Sequence, residues 1–309
     1  MNRPAEALAP SGEQYELRSG DHRAIVTEVG ATLRHYSVRG VDVIDGFGAD
    51  ERSSDGRGQV LAPWPNRLDA GRYRFGDHDA QAALDEPERN NAIHGLVRWL
   101  PFRAASRQDS AIEFACVLHP QPGYPWSLEL RIGYRLGDGG LAVSFHALNR
   151  SSAPAPFGIG FHPYLTIGMP IDRAVLRIPA GQRTLTDDRG LPTGSEPVAG
   201  SAFDFTTAKA VGPMQLDTCY TDLVRDSDDI ARMEIVTPEG DRGVTLWVDG
   251  SFHHVMVYTG DTVEPASRRR HAVAVEPMSC PPNAFRSAAD VIAIEPEAGI
   301  EGRWGLQPS

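Results

Sequence analysis

Three ionisable side chains stand in surroundings that would make them useful proton carriers. His162 lies in Gly160-Phe161-His162-Pro163-Tyr164-Leu165, after a Gly/Pro-rich approach from Pro154 to Gly158. Proline fixes its own φ and pushes the residue before it toward extended geometry, so His162 is predicted to sit on stiff backbone between aromatics. A general acid or base must be held still, and this backbone would do so. Glu276 closes the apolar run Ala272-Val273-Ala274-Val275 and precedes Pro277. Partial desolvation there would raise its pKa above the ordinary carboxylate value of about 4.3, which suits a general base. His94 stands in Asn91-Ala92-Ile93-His94-Gly95, where the glycine lets the chain turn and a ligand approach closely. Each also has a plainer reading: a buried hydrogen-bonded histidine, a salt-bridged glutamate at a sheet edge, a loop histidine without a role.

Other residues could hold a polar ligand. Asn66 and Arg67 follow the rigid Ala62-Pro63-Trp64-Pro65, and a guanidinium fork fixes oxygen atoms in space. Asp217, in Gln215-Leu216-Asp217-Thr218-Cys219-Tyr220, could accept two hydroxyl hydrogen bonds or simply make an Asx turn. Arg98 and Trp99 pair a cation with an aromatic plane, suited to a sugar face or an anionic substituent, unless Trp99 is core. Arg268-Arg269-Arg270 reads as a solvated loop. His253 and His254 would point to opposite faces of a strand, and no metal site is assigned. There is no phosphate-binding glycine loop opening a helix.

The elements that must position these groups read as short strands. Residues 23–29, 31–38 and 41–45 are separated by Gly30 and Gly40, after a loose start over 1–20 and before an exposed loop over 46–58. The clearest pattern is Leu128, Leu130, Ile132, Tyr134 and Leu136, alternating with Glu129, Arg131 and Arg135: a strand with one dry and one wet face. Gly137 to Gly140 closes a hairpin onto Leu141, Val143, Phe145 and Ala147. Further strands are predicted over 111–118, 174–178, 233–237, 244–248, 254–259, 271–276 and 291–295, with 179–213 loop-rich. No long helical stripe, repeat or linker interrupts residues 1–309, which predicts one all-β domain, a large antiparallel β-sandwich.

Composition narrows the partners. Of 309 residues, 41% are hydrophobic and 23% charged, ordinary for a globular chain able to bury a core. The net charge of −11 argues against nucleic acid. Cys116, Cys219 and Cys280 have no close pairing and suggest reduced thiols in a cytosol. No run spans a membrane, the first residues lack a signal-peptide core, and the sequon at Asn149 is then idle. A cytoplasmic monomer or homodimer acting on a small molecule is the expectation.

Taken in order, Asn66-Arg67, Asn91-Ala92-Ile93-His94-Gly95, His162-Pro163-Tyr164, Leu216-Asp217-Thr218-Cys219-Tyr220 and Val275-Glu276-Pro277 with Pro282-Asn283-Ala284 resemble the aldose 1-epimerase (galactose mutarotase) family over about residues 60–285. The resemblance implies a β-supersandwich and cofactor-free interconversion of sugar anomers. It implies Glu276 as the base at the C1 hydroxyl, His162 as the acid at the ring oxygen, His94 near that oxygen, and Arg67 and Asp217 as substrate-holding residues. A raised-pKa glutamate and a histidine near neutral pKa would run the reaction both ways. Leu96, Leu165 and Ala-Pro-Trp-Pro before Asn66 depart from the galactose enzymes. His94-Gly95-Leu96-Val97-Arg98 is similar to the hexose-6-phosphate epimerase branch, and the chain resembles a divergent branch with members acting on sulfonated sugars. Arg72, Arg74, Arg98 and Arg103 would then favour a sugar with an anionic C6 group. The remaining readings are a non-catalytic sugar-binding sandwich and a glycoside hydrolase, which needs two carboxylates and leaves both histidines unexplained.

Overall fold

A computed structural model describes residues 8–309. Two large antiparallel sheets dominate it. The larger has nine strands, in the order Arg103–Arg107, Ala111–Leu118, Leu128–Gly137, Gly140–Asn149, Gly299–Pro308, Gly243–Val248, Ala231–Val236, Val175–Arg177 and Lys209–Ala210. The alternating strand sits as its pattern dictates: Leu128, Leu130, Ile132, Tyr134 and Leu136 are buried, and the hairpin register runs from Leu128↔Asn149 to Gly137↔Gly140. The second sheet runs Pro192–Pro197, Ala180–Thr186, Asp217–Leu223, His254–Tyr258, Val273–Met278, Gly160–Phe161 and Val60–Leu61, with Tyr164–Leu165 also paired to Val273–Met278. Aromatic rings from both sheets and the loops beside them meet between them. Phe161 packs on Trp304 at 5.3 Å and on Phe252 at 6.1 Å, and Phe252 on Phe145 at 5.8 Å. Burying each such ring contributes about 1.5–3 kcal/mol.

A smaller four-stranded meander, Gln14–Ser19, His22–Thr27, Leu33–Val38 and Val41–Asp42, packs against the nine-stranded sheet. Tyr15 meets Phe114 edge-on at 5.1 Å, and Tyr134 donates its hydroxyl to the Ala31 carbonyl at 2.7 Å. Residues 14–19 are therefore a strand, not the loose start expected for 1–20, whose first seven residues lie outside the described region. In the predicted strand 41–45, Val41 and Asp42 pair with Leu33–Val38, and Ile44 makes a separate antiparallel bridge to Leu165. Residues 179–213 hold three strands rather than loop alone: Ala180–Thr186 and Pro192–Pro197 at one end of the second sheet, and Lys209–Ala210 at the edge of the larger one, where polar side chains can face water. The Arg268–Arg270 run is not simply solvated. Arg268 donates to Asp45 at 2.7 Å, and Arg270 to Asp261 at 2.5 Å and to the Met214 and Gly212 carbonyls.

Among the described residues the one α-helix is the single turn Ala284–Ser287, and no helix is long and apolar enough to cross a membrane.

Candidate active site

The strand Val273–Met278 is buried along its whole length. Val273 and Val275 face the core between the sheets, so alternation puts Ala274, Glu276 and Met278 on the opposite face. Glu276 is thus inside an interior strand that runs on through Pro277, not at a strand end or sheet edge. The chain bearing His162 crosses this strand twice. Gly160 pairs with Met278 and Tyr164 with Ala274, keeping one register across the gap, so His162 falls opposite Glu276. The Val275 N–H donates to the Pro163 carbonyl at 3.2 Å, and Pro163 itself needs no partner for an N–H it lacks. His162 Nε2 stands 3.3 Å from Glu276 Oε1. His162 Nδ1 and Glu276 Oε2 have no partner among the described residues.

Three neighbours hold the His162 ring. Tyr164 stacks on it at 5.0 Å and 20°, and His94 meets it edge-on at 5.4 Å. The backbone of Gly56 is the third: with φ +73°, a Cβ there would lie 2.4 Å from His162 Cδ2. Tyr164 is fixed in turn, donating to the Asp55 carbonyl at 3.0 Å beneath the Arg57 guanidinium, 4.6 Å from its ring centre. Arg57 is buried and paired with Asp45 at 3.2 Å. The stretch 46–58, expected to be exposed, therefore ends as a buried clamp on His162. Gly56→Ala is expected to displace the imidazole and lower kcat for any reaction using it by about a hundredfold. The strained φ would also cost about 1–3 kcal/mol of stability. Rate measurement beside thermal unfolding separates the two effects.

His94 has φ +61° and Asn66 φ +56°, two left-handed residues that bond each other reciprocally. The His94 N–H donates to the Asn66 carbonyl at 2.9 Å, and the Asn66 N–H donates to His94 Nδ1 at 3.2 Å. Nδ1 is therefore the acceptor, and the neutral ring carries its proton on Nε2. The Asn66 side-chain oxygen accepts the Arg67 N–H at 2.8 Å, so that part of Asn66 is committed to the turn. Arg67 donates Nε to Glu86 at 3.0 Å and Nη1 to Asp217 at 3.4 Å. Asp217 opens a strand paired with Tyr258 rather than an Asx turn, and its side chain is 45% exposed against 2% for Glu276. The group thus grades outward, from the buried Glu276–His162 pair through Arg67 to Asp217.

Arg98 is close enough for its charge to act on both histidines, yet it is not free. It donates to Asp85 at 2.5 Å and to the Ile93 carbonyl at 3.1 Å. Trp99 is not core: it is 47% exposed, with the Arg52 and Arg98 guanidiniums 5.3 and 5.6 Å from its ring. Arg72 and Arg74 line one surface hollow and Arg103 another, neither including the residues above, so only Arg98 of that basic set belongs to the group.

Burial pushes the Glu276 carboxyl well up, with the negative charge of Asp217 adding to it against Arg67. Burial pushes His162 down to about 3, helped by the charges of Arg57 and Arg98. Burial likewise holds His94 far below its ordinary value, with Arg98, His162 and Arg67 in support. The expected histidine near neutral pKa is thus corrected: burial disfavours the charged form of both imidazoles and of the Glu276 carboxyl. Nearby, His254 bonds Asp290 at 2.8 Å and lies 4.0 Å from Cys219 Sγ, but burial holds that thiol up at about 12, so it is not a ready nucleophile. No group of three or more His, Cys, Asp and Glu side chains among the described residues could hold a metal ion.

Sequence reading did not find Gly56, Arg57, Asp85 or Glu86. Asp85 and Glu86 precede Pro87 in an ordinary turn sequence, and their partners Arg98 and Arg67 lie on other segments. The glycines of 46–58 carried the one usable signal, a chain built for close approach.

The architecture is a galactose mutarotase-like β-sandwich. A sequence model of the aldose 1-epimerase family matches residues 13–304, and the chain belongs to that family. It is 32% identical over 287 residues to YihR of Escherichia coli K12, an uncharacterized protein, covering 92% of this chain and 90% of that one. It is 27% identical over 232 residues to the aldose 1-epimerase of the same organism, covering 66% and 64%. An aldose epimerase homologue from C. elegans superposes with a TM-score of 0.86 at 16% identity, over 96% of this chain and 98% of that one. Galactose 1-epimerase from Lactobacillus acidophilus gives 0.78 at 18%, over 96% and 94%.

Proposed function

We propose that this protein interconverts the α and β anomers of a free aldose by acid–base ring opening and reclosure, with no cofactor. One observation carries the reading: Glu276 and His162, far apart in sequence, face each other at 3.3 Å on the outer face of an interior strand. Opening a hemiacetal takes a proton from the C1 hydroxyl and gives one to the ring oxygen. With Glu276 as base and His162 as acid, the reactive form is carboxylate and imidazolium, and opening leaves carboxylic acid and imidazole. Burial favours that second form, so each opening step relaxes the pair. Rotation about C1–C2 and the reverse transfers give the other anomer. His94, with its proton on Nε2, donates toward the ring oxygen, while Arg67, Asp217 and Asn66 hold hydroxyls at the outer end. The relatives named for aldose and galactose 1-epimerase activity support the reaction class.

Freshly dissolved α-glucose and α-galactose, followed by polarimetry and by saturation-transfer NMR, test the reading. Exchange should accelerate in proportion to protein concentration, and no acceleration with any aldose would sink it. If a sugar binds but its exchange is unchanged, the protein is a sugar-binding sandwich instead.

A second reading, a sugar with an anionic group at C6, is favoured by Arg98 beside both histidines with Trp99 and Arg52 at the rim. Arg98→Met separates the two. For neutral aldoses KM should change less than about threefold, because Asp85 already engages the guanidinium. If glucose 6-phosphate or sulfoquinovose is the substrate, its KM should rise at least about tenfold on loss of a charge-assisted contact.

A further inference from the structure

Gln59 is 1% exposed, and neither its Oε1 nor its Nε2 has a hydrogen-bond partner among the described residues. Buried amides are almost always bonded, so one left open on both atoms asks for an explanation. Ten buried side-chain polar atoms lack a partner among the described residues, and five of them belong to Gln59, His162, Glu276 and Arg98. Half of the unmet hydrogen-bonding capacity thus belongs to these four residues, and Gln59 is the one among them with both polar side-chain atoms open. Backbone pairing puts Gln59 beside His162: its carbonyl accepts the His162 N–H at 3.1 Å, and its N–H donates to the Gly56 carbonyl at 2.9 Å. The neighbouring pair Val60↔Phe161 faces the core between the sheets. Alternation therefore puts Gln59 and His162 opposite each other on the other face, where directly opposed Cβ atoms lie about 4.5–5.5 Å apart.

We infer that Gln59 is a sugar-contacting, specificity-determining residue whose amide hydrogen-bonds a substrate hydroxyl beside His162. The inference rests on the proposed aldose reading and extends it to a residue that the recognisable motifs do not include. A primary amide offers two donors and a carbonyl acceptor, which match a hydroxyl pair that both gives and accepts. Such an amide is a cost to the empty protein and a gain only when the sugar arrives. Its removal should therefore move affinity and stability in different directions, unlike that of a structural residue.

Gln59→Met and Gln59→Leu, compared with wild type by calorimetric titration of glucose and galactose and by thermal unfolding, provide the test. Both variants should weaken the better-bound aldose at least about tenfold, since a site built around a hydroxyl loses its pairing. Their Tm should stay or rise. With one of the 2-, 3-, 4- or 6-deoxy analogues of that aldose, the difference between wild type and variant should vanish, naming the hydroxyl. Affinity within about twofold of wild type in both variants would show that the amide holds only a buried water, and would overturn this inference alone. A large fall in Tm in both would tie the amide to the protein itself and overturn it too. Wild-type protein binding no sugar would overturn this inference together with the proposed function.

Discussion

Glu276→Gln should lower kcat/KM for anomer exchange by roughly a thousandfold, the middle of the range for a positioned acid–base group. It should do so while raising stability at neutral and alkaline pH. The two effects share one cause. Glu276 is buried, with a carboxyl held well above its ordinary value. A folded-state pKa above the unfolded one means that the native protein binds more protons through the window between them. Stability is therefore lost as pH rises above the unfolded value near 4.5. Glutamine keeps the shape and cannot ionise, so the variant escapes that loss. The same raised value fixes the sign of the rate profile. The pair works with one proton between its members and loses it as pH rises through the carboxyl's raised value, so the rate should fall on the alkaline side. The acid limb should lie well below pH 6, because His162 resists a second proton. A free carboxylate acting alone would instead gain activity with rising pH. Stopped-flow polarimetry from pH 4 to 10, beside urea unfolding, distinguishes these cases; an unchanged rate in the variant removes the proton-transfer assignment.

His162→Gln should cost about a hundredfold or more in kcat, with little change in the affinity for sugar. Arg67, Asp217 and Asn66, the residues proposed to hold hydroxyls, are untouched, whereas the proton delivered to the ring oxygen is lost. The stability consequence again has a definite sign. The imidazole is neutral in the folded protein down to about pH 3, whereas the unfolded chain takes up its proton near 6.5. The wild type therefore loses stability as pH falls from 6.5 toward 3, and the variant should lose less over that window. Urea midpoints at pH 7 and pH 4.5 measure the difference. A variant with full activity, or one whose acid sensitivity equals wild type, counts against the buried pair as described.

The limits of sequence reading have particular causes. Alternation at 128–136 gave its strand and its hairpin partner because one face is wet. The strand Gly299–Pro308 escaped notice although it lies mid-sheet. Its Gly302 sits against Ser251 and Phe145 and its Gly305 against Trp247, so closeness to neighbours replaced the usual apolar side chains. The proline beside His162 foretold a rigid placement. The partner of that histidine came only from motifs known together, since nothing local joins residue 162 to residue 276. Burial strength was not legible either. The same histidine reads as near-neutral until Arg57, Tyr164 and Gly56 close around it. Arg98 and Trp99 were read as one cation–aromatic unit, but the sequence could not show that Asp85 already claims the cation.

The place of Gly299–Pro308 also governs the order of assembly. It fills the gap between Gly140–Asn149 and Gly243–Val248. Until residues 299–308 are paired, the facing edges of Gly140–Asn149 and Gly243–Val248 stay open to water and to other chains. Without residues 299–308 the nine-stranded sheet is two separate four-stranded pieces, so its two halves become one surface only when this strand docks.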